Sequence, residues 1–184
     1  MDLRYPIGEF KFEAPPTDEQ RKRCLDIIEQ TPQQMRAAVA GLNEAQLDTP
    51  YRPDGWTVRQ VVHHVPESHL NSYVRMKLAV TEDEPTIKPY FEDRWAELDD
   101  ARQAPVELSL DLLEALHRRW LWFLRSLKPE DYQRTFKHPE MGVVSVDKNI
   151  ALYAWHGQHH VAHITSLRER MGWRTLGAQA SCLQ

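Results

Sequence analysis

The 184-residue chain is 41% hydrophobic and 27% charged, enough apolar content to close one core, and it reads as a single domain. A formal net charge of -4, with Lys and Arg scattered among carboxylates, excludes the clustered cationic face of a nucleic-acid binder. No run approaches the roughly 18 apolar residues that cross a bilayer, and the opening MDLRYPIGEFKFEAPP is acidic and aromatic where a secretory leader would be apolar, so a cytoplasmic protein without a membrane partner is expected.

The expected layout is an N-terminal arm over 1–16, a helical bundle over 17–172 and a C-terminal tail over 173–184. Thr17 opens T-x-x-Q with Gln20, a capping-box pattern, and Cys24, Leu25, Ile27 and Ile28 supply the apolar face of a first helix. Thr31 before Pro32 predicts a second helix start, continued by Met35, Ala38, Val39 and Leu42, the two pieces forming one bent helix or a pair. Pro50, Pro53 and Gly55 place a loop over 43–56.

Thr57 is expected to cap the next helix, which carries Val58, Val61, Val62, Val65, Met76 and Val80 to about residue 80, with a kink at Pro66. Residues 81–104 hold prolines, aromatics and charges without periodicity, which predicts a long crossover with a short helix near Phe91–Leu98, placed to cover a site. From Pro105, Leu108, Leu112, Leu113, Leu116, Trp120, Phe123, Leu124 and Leu127 follow helical spacing, and Trp120, Trp122 and Phe123 are expected in the core, as is Cys24. Residues 134–146 suggest a short β-hairpin, after which Asp147 is expected to cap a last helix ended by Gly172 near Met171. The fold class is therefore all-α, an antiparallel four-helix bundle with one long crossover.

Histidine is the unusual residue, with nine in the chain and seven of them in VVHHVPESH and WHGQHHVAH. At 100° per residue His156, His159, His160 and His163 share an arc of about 100° on the last helix. Residues at i and i+4 can both reach one ion, so either His156 with His160 or His159 with His163 qualifies. The first cluster supplies a third ligand from His63 or His64, which differ by about 100° and do not both face one point. Three protein ligands with an open position is the arrangement of a catalytic zinc site. The cysteines, Cys24 and Cys182, are too far apart in sequence to suggest a disulfide framework or a thiolate site.

GWTVRQVVHHVPESHLNSYVRMKLAVTE and YAWHGQHHVAHITSLRERMGW resemble the two signature helices of the DinB-like superfamily, more closely its YfiT-like branch. The resemblance covers most of residues 17–172. It implies a four-helix bundle with one divalent metal, zinc or nickel, on His64, His156 and His160, and an enzyme that is often a homodimer. The activities it implies are transfer of a low-molecular-weight thiol such as bacillithiol to an electrophile, or hydrolysis by a metal-activated water. A non-catalytic, metal-stabilised binding module is the reading from another class.

For hydrolysis His163, His63 and Glu67 are the candidate bases. Asn71 and Arg75, two and three turns beyond His64, are the candidate contacts to a polar or anionic substrate. His69 falls within the valine stripe and is expected to be structural. Neither a Gly-rich phosphate loop nor a serine nucleophile elbow occurs, so nucleotide chemistry and serine hydrolysis have no support.

Overall fold

The computed structural model describes residues 2–173. Helix α1 (Asp18–Val39) opens on the expected capping box: Thr17 Oγ1 accepts the Gln20 N–H at 3.2 Å, and Gln20 Oε1 accepts the Thr17 N–H at 2.8 Å. No new helix begins at Thr31. The helix continues through Pro32, and the Thr31 hydroxyl turns back to the carbonyl of Ile27 at 2.9 Å instead of capping. Proline brings no N–H to the carbonyl four residues earlier, that of Ile28, which is thereby left for another donor.

A short α2 (Glu44–Leu47), with its own capping box from Asn43 and Gln46, interrupts the next loop before Thr57 and Gln60 close a third on α3 (Val58–Thr81), which is one helix through Pro66. The crossover over 82–105 contains α4 (Glu92–Trp95) and α5 (Asp99–Gln103) and leads to α6 (Val106–Arg125). A 3-10 turn (Pro129–Gln133) precedes the hairpin of β1 (Thr135–His138) and β2 (Gly142–Ser145), paired antiparallel with Phe136 opposite Val144.

The last helix, α7 (Val146–Met171), is capped by Ser145 and not by Asp147: Ser145 Oγ accepts the Lys148 N–H at 3.1 Å. Asp147 is buried because Arg21 of α1 grips it, Nε and Nη2 lying 2.6 and 2.9 Å from its oxygens. Gly172, at φ 66°, ends α7 in the left-handed conformation that L side chains rarely adopt. Of the expected tail, Trp173 packs on the core, and the rest, Cys182 included, lies outside the described residues.

Contacts along the helices set their directions. Arg21 meets Asp147 near the starts of α1 and α7, and Arg168 reaches the Ala38 carbonyl near their ends, so these neighbours run parallel. His63 meets Ser109 and His69 meets His117, so α3 and α6 also run parallel. The bundle is antiparallel only between these two pairs. A chain leaving the end of α3 must therefore travel the length of the bundle to start α6, which is why the 82–105 connection is long. It passes the hairpin, where Ile87 bonds Lys137, and then the start of α3, where Gln60 Nε2 donates to the Ala96 carbonyl at 2.7 Å.

The core has two apolar clusters separated by a polar layer. One contains Ile28, Met76, Trp120, Leu124, Phe136 and Ile150; the other contains Met35, Val58, Val61, Val62, Val65, Leu113 and Ile164. Between them α1 contributes Thr31, α3 contributes Ser68 and His69, α6 contributes His117, and α7 contributes His156, Gly157 and His160. Buried polar groups are tolerated only when hydrogen-bonded. Trp120 is fully buried as expected and Cys24 and Phe123 pack partly buried on the first cluster, but Trp122 is 80% exposed, one position off the inward stripe of α6.

Candidate metal centre

Two hydrogen-bond chains decide the state of the buried imidazoles. The Ile28 carbonyl can only accept, so the proton between it and His117 Nδ1, 2.6 Å away, belongs to His117. In the neutral ring His117 Nε2 is then an acceptor and takes the Nδ1–H of His69 at 2.8 Å. His69 Nε2 in turn accepts the Nδ1–H of His156 at 3.1 Å. His156 is left with a bare lone pair on Nε2.

The second chain starts at the arm, where the carbonyl of Arg4 accepts the Nε2–H of His163 at 3.0 Å. His163 Nδ1 then accepts from His160 Nδ1 at 3.3 Å, which leaves His160 Nε2 bare as well. Burial keeps these rings neutral: it lowers His117 to about 4 and holds His69, His156 and His160 well below the ordinary imidazole range, neighbouring histidines adding to the effect.

His64 Nε2 stands 3.3 Å from His156 Nε2. With a lone pair on His156 the contact fits two nitrogens converging on a cation, because ligands about 2.1 Å from one tetrahedral ion lie about 3.4 Å apart. One donor atom from each of His64, His156 and His160 lies within 4.8 Å of the others, the one such group of three among the described residues. Burial, and secondarily His163, lowers His64 to about 3. Its Nδ1 is buried without a hydrogen-bond partner, so this ring is held by packing, chiefly under Trp56 at 4.7 Å between centroids.

The trio opens into a cavity of about 580 Å³ between α3 and α7. Its walls are Arg4 and Tyr5 of the arm, Tyr51, Arg52 and Trp56 of the loop before α3, Tyr90 and Glu92 of the crossover, and His138 and Met141 of the hairpin. The arm docks further along α7, where Trp155 Nε1 donates to the Gly8 carbonyl at 3.1 Å and Phe10 faces the indole. A larger groove of about 1010 Å³ between α1 and α6 gathers no such set of donors.

Of the other residues singled out by sequence, His163 and Arg75 line the cavity. His163 also stacks on Tyr51 at 3.9 Å, and both its nitrogens are engaged. His63 turns the other way, to Ser109 Oγ at 2.7 Å and the Ala104 carbonyl at 3.1 Å, tying the crossover to α6. Glu67 lies outside the cavity, raised to about 7 by burial and then by Asp100, and Asn71 donates to its backbone carbonyl at 2.9 Å. His69 sits in the core as expected, yet its ring touches His156. His159 lines the cavity beside Trp155 and Tyr5, and burial lowers it to about 4.

Sequence reasoning passed over His117 and His138. His117 is a single histidine in a helix whose period is otherwise explained by leucines, and His138 lies in a hairpin far from either cluster. Among the described residues no helix is long and apolar enough to cross a membrane.

The sequence model of the DinB superfamily matches residues 27–164. A protein of Bacillus cereus strain 03BB102, named as a candidate metal-dependent hydrolase, is 56% identical over 172 residues, 94% of this chain and 99% of its own. A relative of the same name from Bacillus anthracis strain A0248 is 55% identical over the same shares. The solved structure of YfiT from Bacillus subtilis, described as a candidate metal-dependent hydrolase with an unusual four-helix bundle topology, superposes with a TM-score of 0.92 at 46% identity, covering 95% of this chain and 100% of that one. The parallel pairing of α1 with α7 and of α3 with α6 thus belongs to a known architecture, and this chain is a member of the DinB superfamily.

Proposed function

We propose that the protein is a metal-dependent enzyme holding one divalent cation, zinc or nickel, on Nε2 of His64, His156 and His160, and that it transfers a low-molecular-weight thiol of the bacillithiol kind to an electrophile. The observation that carries this reading is the pair of hydrogen-bond chains, each anchored on a backbone carbonyl, that leaves both α7 nitrogens bare and facing His64. A cation on three neutral imidazoles would supply Lewis acidity, stabilising the anion of a thiol or a water within reach at neutral pH.

The chain's own residues do the rest. His69 and His163 hold the tautomers of His156 and His160, so that no ligand ring has to flip before binding. Trp56 and Tyr51 wall the histidines off from the solvent side of the loop, Tyr5 and Tyr90 add to the aromatic lining of the cavity, and Tyr153 packs on His156 from the core. In the transfer the thiol gives up its proton, its sulfur forms a bond to the electrophilic carbon, and the leaving group departs with the bonding pair.

Hydrolysis is the second reading, favoured by the names of the relatives. It needs a base near the attacking water. Glu67 and His63 lie outside the cavity and His163 has both nitrogens engaged, so the candidates that remain are His159 and the carboxylates of Glu92, Asp93 and Glu140 that line the cavity. A homodimer belongs to the same proposal, supported by Leu108, Leu112 and Trp122, which stand exposed along α6; sedimentation velocity tests it.

The deciding assay incubates metal-loaded protein with bacillithiol and a haloalkyl electrophile beside a panel of esters and amides. Thiol consumption above the metal-free control supports transfer. Turnover of an ester or amide with no thiol transfer replaces it with hydrolysis.

A further inference from the structure

Arg75 is 9% exposed, lines the cavity, and makes no hydrogen bond or ion pair with any described residue. That is an unusual state for a guanidinium. A buried charge is costly unless an opposite charge or hydrogen-bond acceptors meet it, and the other buried arginines of this chain are met in this way: Arg59 reaches Asp48 Oδ1 at 2.8 Å, and Arg168 donates to the Ala38 carbonyl at 2.7 Å.

Arg75 follows His64 by eleven residues, about 20° off the same helical line and about 16 Å further along the axis. Helical side chains lean toward the N-terminus, which brings the guanidinium back toward the histidines. Ser68 lies between them on the same wall, its hydroxyl 3.3 Å from that of Tyr153.

A second donor faces the same space. His138 Nδ1 accepts the backbone N–H groups of Glu140 and Met141 at 3.2 and 3.4 Å, so the ring proton sits on Nε2, which has no partner among the described residues. Both side chains line the one cavity, and burial and then the Arg75 charge lower His138 from its ordinary value. The carboxylates of Glu92, Asp93 and Glu140 also line the cavity, but they stand exposed at its rim and none pairs with Arg75 within 4 Å.

We propose that Arg75 and His138 form an anion subsite that takes a carboxylate of the substrate, so that the enzyme acts on an elongated small acid whose reacting end lies at the histidine trio. The planar guanidinium matches a carboxylate in two parallel hydrogen bonds, and the imidazole N–H adds a third. The placement of the reacting end rests on the proposed metal-dependent function; the subsite itself does not.

The test is calorimetric titration of succinate, and of neutral succinamide, into metal-free and zinc-loaded protein, with zinc affinity measured on the same samples. Metal-free wild type is expected to bind succinate and not succinamide. Arg75→Met should weaken succinate about tenfold or more, and Arg75→Lys less, because a lysine keeps the charge but not the fork. His138→Phe should weaken it several-fold, and it carries the test if circular dichroism shows Arg75→Met unfolded. Zinc affinity should stay at the wild-type level in all three variants.

Succinate binding within twofold of wild type in the folded Arg75 and His138 variants, or equal binding of succinamide, overturns the subsite. If wild type takes up no zinc while succinate still depends on Arg75, the metal reading fails and the subsite stands.

Discussion

Pro32 and His117 meet at one backbone carbonyl. The proline, inside α1, has no N–H to give the Ile28 oxygen, and His117 Nδ1 reaches across from α6 to donate at 2.6 Å. That bond is the fixed end of the chain through His69 to His156, so a residue that looks like a helix breaker sets the tautomer of an imidazole on α7 by a relay through α6 and α3.

Restoring the missing donor should loosen that chain. In Pro32→Ala the new N–H competes for Ile28, giving a metal-free protein at least as stable as wild type but with zinc affinity lower by about tenfold, in the range for lost outer partners of metal ligands. Competition titration against a chelator measures the affinity and thermal melting the stability; an unchanged affinity would break the link between Pro32 and the site.

Removing His117 acts on the same chain from the other side. In His117→Phe, His69 is free to donate from Nε2 to His156, which moves the His156 proton onto the nitrogen that must be bare. Zinc affinity should fall about tenfold to a hundredfold, and long-range nitrogen–proton spectra of the metal-free variant should show His156 as a mixture of tautomers where wild type shows Nδ1–H alone.

The buried histidines should also make the metal-free fold acid-sensitive. Burial lowers His117 from 6.5 to about 4 in the folded chain. The unfolded state therefore takes the proton first as pH falls, and stability is lost between about 6.5 and about 4, on the order of 3 kcal/mol for this one group. Urea melts across that range should show the midpoint falling with pH, and His117→Phe should show a shallower fall. A midpoint independent of pH would contradict it.

Gly157 holds α7 against α1: a Cβ there would lie 2.7 Å from Thr31 Oγ1 and Cγ2. In an exposed helix, alanine for glycine stabilises by about 1 kcal/mol. Here Gly157→Ala is expected to do the opposite, lowering the melting temperature and, by displacing His156 and His160 on either side, weakening zinc binding.

The arm is expected to matter for the same reason. Deleting residues 2–9 removes the Arg4 carbonyl that orients His163 and, through it, His160. Zinc affinity should drop, though by less than in His160→Ala, and equilibrium titration of the two proteins gives the comparison.

Local signals were legible before the structure wherever the chemistry is local. The capping box at Thr17, the cap at Thr57, the glycine stop at Gly172 and the shared face of the α7 histidines all follow from neighbours within one or two turns. Spacing left His156 with His160 and His159 with His163 equally open, because both pairs obey the same i, i+4 rule. Only packing separates them: the first pair turns toward α3, while His159 and His163 lie against Tyr5 and Tyr51.

Long-range events were not legible. Thr31–Pro32 carries the pattern of a helix start, and the continuity of α1 becomes intelligible only with a donor on α6 for the stranded carbonyl. Ser145 took the cap from Asp147 because Arg21, more than a hundred residues earlier, pulls the carboxylate aside. Nothing in the arm's own sequence announces a partner on α7.

The central claim is that His64, His156 and His160 hold one cation. Metal analysis and zinc titration of wild type and of His64→Ala, His156→Ala and His160→Ala test it most directly, with circular dichroism to establish folding. The account predicts one tightly held divalent ion per wild-type chain and affinity reduced by at least about a hundredfold in each variant. Full occupancy in all three folded variants would contradict it.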